Sequence, residues 1–165
     1  MGKINLIIAP ILKLSQFREM KFLGKRVVLA GGAFDILHIG HIEHLKRAKA
    51  KGDILIVHIT GDRRYFEKRG YYPLSTQIDR ARIVASIRFV DYVFIYNKPH
   101  FNQKIVDIIK PDILFFNMES FRIVATKYIK NKFIFSGKVI VDKARKIRSS
   151  SIIRKRMDDA RKKVA

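Results

Sequence analysis

Two histidines and three glycines occur within the eleven residues from Gly31 to His41. Glycine lets the backbone approach a phosphate closely, and an imidazole N–H can donate a hydrogen bond to a phosphate oxygen. His38 and His41 flank Gly40. Such donors suit a reaction whose transition state spreads negative charge over a phosphoryl group. The segment predicts an anion cradle in which neither histidine needs to act as a base.

A strand and a helix are predicted on either side of this segment. The run Val27–Ala30 is apolar and β-branched, as in a buried strand, while Ile42, Leu45 and Ala48 repeat at helical spacing. We therefore expect a helix from about Gly40 to Ala50. The helix N-terminus would add unpaired N–H groups and a positive dipole to the cradle.

The two histidines have two other interpretations. A metal site is weakly supported, because His38 and His41 have no obvious third ligand nearby except Asp35. The histidines would alternatively only cap the helix, which leaves the neighbouring glycines unexplained. The phosphate interpretation accounts for strand, glycines, histidines and helix together, and no metal ligand is predicted.

The strand pattern predicts an α/β fold. Strands without polar alternation, each followed by a helical stretch, are typical of a parallel sheet covered on both faces. We expect a Rossmann-like, doubly wound, five-stranded parallel sheet with helices on both faces, in which ligands bind beyond the carboxyl ends of the strands. The five predicted strands are Val27–Ala30, Ile54–Thr60, Tyr92–Tyr96, Ile113–Phe116 and Lys138–Val141.

A second helix start is predicted near the end of the chain. The segment Lys146–Ser151 is followed by Ile153, Met157, Ala160 and Val164, which are spaced as one helical stripe. Serines stand where an N-cap belongs. A second phosphate-binding helix start would therefore follow the last strand.

With both motifs in view, the chain resembles the cytidylyltransferase-like nucleotidyltransferase family, whose superfamily shares the HxGH motif. The family pattern G-x-F-D-x-x-H-x-G-H matches Gly32–His41, and its serine-rich motif matches Ser149–Arg154. The resemblance covers about residues 26–154 and continues between the motifs through Asp62, the pair Lys68 and Arg69, and Arg80.

The resemblance implies roles for these residues. His38 and His41 would stabilise the reacting α-phosphate of a nucleoside triphosphate, and Ser150 and Ser151 would hold its β- and γ-phosphates. Lys68 would bridge the acceptor phosphate and the triphosphate, with Arg69 as the competing assignment. Arg148, or alternatively Arg145, would bind phosphate, and Mg²⁺ would accompany the triphosphate. The expected catalytic set is His38, His41, Lys68 and Arg148, and the expected nucleotide-binding set is Gly32, Ala33, Phe34, Asp35, Gly40, Asp62, Arg80, Ser149, Ser150 and Ser151.

Two departures from the family pattern affect the substrates. Ala33 replaces a usual Thr, Ser or Cys, and Phe115–Glu119 replaces a Gly and Asp motif found in many relatives. The resemblance favours transfer of a CMP group from CTP to a small phosphorylated alcohol, such as glycerol phosphate or a sugar phosphate. AMP transfer from ATP and an FMN acceptor, as in FAD synthetases, are the alternatives. His58, within a predicted strand, is expected to be a core histidine.

Composition limits the class of protein. The 165 residues are 48% hydrophobic and 30% charged, as in one soluble domain, and the absence of cysteine excludes disulfides and thiolate metal ligands. The apolar run Leu6–Leu12 is too short to span a bilayer, and no cleavage site of small residues follows it. We expect a cytoplasmic protein with an N-terminal extension over residues 1–25 and a nucleotidyltransferase domain over residues 26–165.

Charge predicts anionic partners. The chain has 35 basic and 14 acidic residues, a net charge of +21. This excess favours attraction to nucleotides, nucleic acid or an anionic membrane, without distinguishing among them. A non-catalytic nucleotide- or RNA-binding protein on the same fold is therefore kept as an alternative. The family resemblance also implies a homodimer.

Overall fold

The computed structural model describes residues 8–98, 102–128, 134–144, 152–154, 156 and 159. Its strands are β1 (Ile11–Leu12), β2 (Val27–Gly32), β3 (Ile54–Thr60), β4 (Tyr92–Tyr96), β5 (Ile113–Asn117) and β6 (Lys138–Asp142). Its α-helices are α1 (Ile39–Lys49), α2 (Asp62–Arg69), α3 (Gln77–Ala85), α4 (Gln103–Ile109) and α5 (Met118–Tyr128), with a 3₁₀ helix at Leu14–Arg18. Residues 152–154, 156 and 159 are helical, where the second helix start was predicted.

All pairings in the sheet are parallel, in the order β1-β4-β3-β2-β5-β6. The chain moves outward from β2 through β3 to β4, then crosses to the other side of β2 to form β5. Strand β2 is therefore the central strand at which the winding direction changes. In such sheets a crevice opens beyond the carboxyl ends of the strands at this point.

Each face of the sheet buries its own core because side chains alternate along the strands. On one face, Val28 and Ala30 pack with residues of α1 and α3. On the opposite face, Val27 and Leu29 pack with Phe17 of the 3₁₀ helix and with α4. Helices thus cover both faces, and the predicted doubly wound α/β fold is confirmed.

The predicted number of strands is wrong by one. The sheet has six strands, because Ile11 and Leu12 pair with Val93 and Phe94 at the edge beside β4. Two residues are too few to show a strand periodicity, and Pro10 directly precedes them. The Pro10 carbonyl nevertheless accepts a 3.0 Å bond from the Val93 amide.

The 3₁₀ helix after β1 also belongs to the core. Phe17 is 1% exposed and makes edge contacts with Tyr92 and Phe94, at ring-centroid distances of 6.0 and 5.6 Å. Residues 8–25 therefore include one edge and part of one face of the sheet. No helix in the described ranges is long and apolar enough to cross a membrane.

Candidate active site

The segment Gly31–His41 lies at the carboxyl end of β2, where it leads into α1. Gly31 is required by packing, because a Cβ there would lie 1.7 Å from Nδ1 of His58 on the neighbouring strand. His58 is 1% exposed and packs near Phe94, as expected of a core histidine. Phe34 has a φ of +52°, in the left-handed region, and turns the chain away from the sheet toward α1. The crevice at the centre of the sheet therefore carries the first motif.

The two histidines of the motif are stacked on one another. His38 is the N-cap of α1, and its ring centroid lies 3.9 Å from that of His41 with the planes 20° apart. The Phe34 ring packs against His41 at 5.1 Å. The pair thus sits at the positive end of the helix dipole, as the sequence predicted.

Burial keeps His41 neutral. Desolvation, together with the neighbouring His38 and His44, lowers the pKa of His41 to about 3. Its Nδ1 atom is buried and has no hydrogen-bond partner among the described residues. A neutral imidazole has one N–H to donate and one lone pair. His41 can therefore hydrogen-bond an anion without carrying a charge of its own.

Asp35 joins the two sequence motifs. Its carboxylate accepts hydrogen bonds from the Tyr65 hydroxyl at 3.0 Å and from the Leu74 amide at 2.6 Å. It also accepts one from the guanidinium of Arg154, the last residue of the second motif. Burial, together with Tyr71 and Asp35, raises the pKa of Tyr65, so this hydroxyl stays protonated and donates. Asp35, predicted to bind nucleotide, here uses its carboxylate to connect the first motif with the second.

Arg80 and Asp62, also predicted to bind nucleotide, lie beneath the first motif. The Arg80 side chain is fully buried and donates to the Asp62 carboxylate at 2.6 Å. Its other donors reach three backbone carbonyls, those of Ala33, of Thr60 at 2.8 Å and of Ser75 at 3.1 Å. Arg80 therefore ties the ends of β2 and β3 together and holds the Ala33 carbonyl in place.

The candidate acceptor-binding cations lie on α2. Lys68 and Arg69 are exposed in its last turn. Arg69 contacts Glu119 at 3.5 Å, which connects α2 to the first turn of α5. Asn117 caps α5 by accepting a 2.7 Å bond from the Ser120 amide. The segment Phe115–Glu119, which departs from the family pattern, therefore lies beside the basic end of α2, at the carboxyl end of β5.

Sequence reasoning assigned no role to a third histidine on the same helix. His44 Nδ1 lies 2.8 Å from Asp142 Oδ2, and the Arg47 guanidinium donates to the same carboxylate. Although burial opposes it, the hydrogen bonds from Arg47 and His44 lower the pKa of Asp142. For His44 the effect of burial has the opposite sign: burial lowers the pKa of the imidazole, and the hydrogen bond to Asp142 works against this shift. The sequence signals were the i, i+3 spacing of His41 and His44 and an aspartate at the end of a strand.

Part of the predicted site lies outside the described residues. This applies to Arg145, Arg148 and the serines Ser149–Ser151. Within the described ranges, no group of three His, Asp or Glu side chains is arranged to hold a metal ion. Asp35, the acidic residue of the first motif, is already engaged by three donors.

Comparisons with known proteins identify the family. The family model described as cytidylyltransferase-like matches residues 29–156. A "Bifunctional protein HldE" of Nitratiruptor sp. is 44% identical over 98 residues, which are 59% of this chain and 21% of that protein. An "FAD synthase" of Pyrococcus abyssi is 40% identical over 87 residues, which are 53% of this chain and 59% of that protein. The chain thus spans only part of the length of these relatives.

A solved structure shows the same fold. The lipopolysaccharide core biosynthesis protein of Thermoplasma volcanium superposes with a TM-score of 0.61 and 29% sequence identity. The superposition covers 74% of this chain and 100% of that one. The likeness therefore extends over about three quarters of this chain and the whole of that one.

Proposed function

The chain belongs to the cytidylyltransferase-like family, and we propose on this premise that it transfers a nucleotidyl group from a nucleoside triphosphate to a phosphorylated acceptor, with release of pyrophosphate. The observation that carries the proposal is the stacked pair His38 and His41 at the start of α1. It lies at the point in the sheet where α/β proteins bind ligands.

The proposed step is an in-line displacement. An oxygen of the acceptor phosphate forms a bond to the α-phosphorus, and the bond from that phosphorus to the bridging oxygen of pyrophosphate breaks. The attacking oxygen is already anionic, so no general base is needed. His38, the His41 N–H and the N-terminal dipole of α1 would stabilise the charge on the α-phosphoryl oxygens. No covalent enzyme intermediate is involved.

The remaining charges would be neutralised by cations around this pair. Lys68 or Arg69, exposed at the end of α2, would bind the acceptor phosphate. Arg148 and the serines Ser149–Ser151 would bind the β- and γ-phosphates. Mg²⁺, when bound, supplies further charge neutralisation. As the family resemblance implies, it would accompany the triphosphate.

Two donor nucleotides are proposed. The named product of the Pyrococcus relative, FAD, contains an adenylate group, which favours ATP and makes FMN one acceptor to test. The first motif's resemblance favours CTP with glycerol phosphate or a sugar phosphate. The choice of base and acceptor depends on the loop geometry around Ala33 and Asn117–Glu119.

Pyrophosphate release tests the proposal. Each nucleoside triphosphate is combined with glycerol phosphate, sugar phosphates or FMN, in the presence of Mg²⁺. His41→Ala should reduce turnover on the order of a hundredfold, as for other lost donors to a transition-state oxyanion. Lys46→Ala, an exposed change on the same helix, should retain wild-type turnover. Unchanged turnover in His41→Ala would contradict the proposed mechanism.

The net charge of +21 supports a competing function, a non-catalytic RNA-binding protein on this fold. Such binding would weaken steeply with salt, because each neutralised phosphate releases counterions. Polynucleotide affinity between 50 and 200 mM salt would fall by about a thousandfold or more if six or more phosphates are contacted. Weak, salt-insensitive binding would argue against it.

Two further expectations have their own tests. Co-sedimentation with anionic vesicles tests the expected membrane association, and the molecular mass in solution tests the expected homodimer.

A further inference from the structure

Asp142 connects the helix that carries the histidines to the end of the last strand. Its carboxylate is 7% exposed and accepts from His44 Nδ1 at 2.8 Å and from Arg47 at 2.9 to 3.2 Å. It also accepts from the backbone amide of Ala144 at 3.1 Å. A single carboxylate therefore holds α1 and the first residues after β6.

The position of Asp142 in the chain gives this contact its importance. The segment that begins at Arg145 and contains Arg148 and Ser149–Ser151 follows within three residues. On the other side of that segment, Arg154 bonds to Asp35 of the first motif. The described residues on either side of that segment therefore both bond to elements that carry the first motif: Asp142 bonds to α1, and Arg154 bonds to the loop that precedes α1.

His44 is oriented by the same contact. A neutral His44 that donates from Nδ1 to Asp142 keeps its lone pair on Nε2, which is buried and has no hydrogen-bond partner among the described residues. The other groups around it are Arg47 and His41 on α1 and the Phe115 ring of β5 at 5.0 Å. His44 therefore packs at a fixed angle against the sheet and fixes the rotation of the helix that bears His41.

We propose that Asp142 is a positioning residue: through His44 and Arg47 it fixes α1, which begins at the phosphate-binding histidines, against the point where the chain leaves β6 toward the serines. This inference rests on the proposed nucleotidyl transfer. Asp142 itself touches no substrate. Its effect should appear in triphosphate binding, which needs both motifs, and not in acceptor binding by α2.

A second ion pair provides a matched control. Asp91 also binds α1 to the sheet, through Lys49 at 2.5 Å, and accepts from the Leu55 amide at 2.6 Å. It lies at the start of β4, at the opposite end of the sheet from the site. Asp91→Asn should therefore lower thermal stability without changing the constants for either substrate.

The test compares Asp142→Asn with Asp91→Asn, at a temperature where both are folded by circular dichroism. In Asp142→Asn, we expect the KM and the Kd for the triphosphate to rise about tenfold, a typical coupling between linked groups, while the acceptor KM stays within about twofold. Ser150→Ala should weaken triphosphate binding less in the Asp142→Asn background than in the wild type. If Asp142→Asn does not fold, Arg47→Gln removes the paired guanidinium from a partly exposed position and carries the same expectation.

Each outcome decides one of the two proposals. A wild-type chain that neither binds a triphosphate nor releases pyrophosphate overturns the proposed function, and this inference with it. If the wild type is active but Asp142→Asn matches Asp91→Asn, the positioning role alone is overturned. Additive effects of Asp142→Asn and Ser150→Ala would also overturn it, because two groups acting through one segment should be coupled.

Discussion

Replacing Arg80 by Met should destabilise the protein through a buried charge network. Arg80 is fully buried, and its donors reach the Asp62 carboxylate and the carbonyls of Ala33, Thr60 and Ser75. Methionine fills most of the volume but leaves these acceptors without their donor. Removing one partner of a buried ion pair costs about 3–5 kcal/mol.

The Asp62 side chain is 30% exposed, so water can hydrate part of the carboxylate in the variant. We therefore expect the lower half of that range, about 3–4 kcal/mol in the free energy of unfolding. For a chain of 165 residues, this loss corresponds to a fall in Tm of about 6–16 °C. Urea unfolding followed by circular dichroism measures the free energy of unfolding, and thermal unfolding measures the Tm. An unchanged m-value indicates that the variant still unfolds as the wild type does.

Arg82→Met is the control, because Arg82 is exposed on the same helix. It should change the free energy of unfolding by no more than about 0.5 kcal/mol. In an Asp62→Asn background, Arg80→Met should cost less, since the uncompensated carboxylate is then absent. A loss below about 1 kcal/mol in Arg80→Met alone would refute the reasoning, because the network would then contribute little to holding the ends of β2 and β3.

Three further changes test other parts of the structure. The pKa of His41 is about 3 in the folded protein and near 6.5 in the unfolded chain. Below pH 6.5 the unfolded chain takes up a proton that the folded protein does not, so the free energy of unfolding falls as the pH is lowered. Between pH 7 and pH 5 the wild type should lose about 2 kcal/mol more than His41→Asn in urea titrations, and equal losses would contradict the low pKa. Gly31→Ala should lower the free energy of unfolding by about 1–3 kcal/mol, because its Cβ would clash with His58. His58→Ala should restore part of this loss. A Tm equal to that of the wild type would mean that β2 and β3 can move apart to make room for the added Cβ. Phe17→Ala should cost about 3–5 kcal/mol in calorimetry, and an unaffected Tm would show that residues near the N-terminus contribute nothing to the core.

The sheet and the first motif were predictable from sequence because they depend on local patterns. The apolar runs at residues 54–60 and 92–96 coincide with β3 and β4. The turn after β2 and the start of α1 followed from the glycines and histidines. Such features need only the periodicity of buried strands and the chemistry of a helix N-terminus.

Features that depend on distant partners were not predictable in the same way. The pairing of His44 with Asp142 joins residues 98 positions apart, and neither side chain has an unusual neighbour in sequence. Helix α2 buries only Tyr65, so it shows no apolar stripe. The contacts of Arg80 with the carbonyls of Ala33, Thr60 and Ser75 join segments that the sequence does not bring together, and its role in nucleotide binding stays a prediction.

The edge strand β1 imposes an order on folding. It is made before β4, and because Ile11 and Leu12 pair with Val93 and Phe94, it has no partner in the sheet until β4 has emerged from the ribosome. Contacts of such long sequence separation form late, after the local βα units have closed. Until then, Phe17 and the neighbouring apolar residues stay exposed to water on the nascent chain. A polypeptide stalled before residue 92 should therefore expose the apolar residues of β1 and Phe17, and chaperones should bind it. A polypeptide stalled well beyond residue 96 should not expose them.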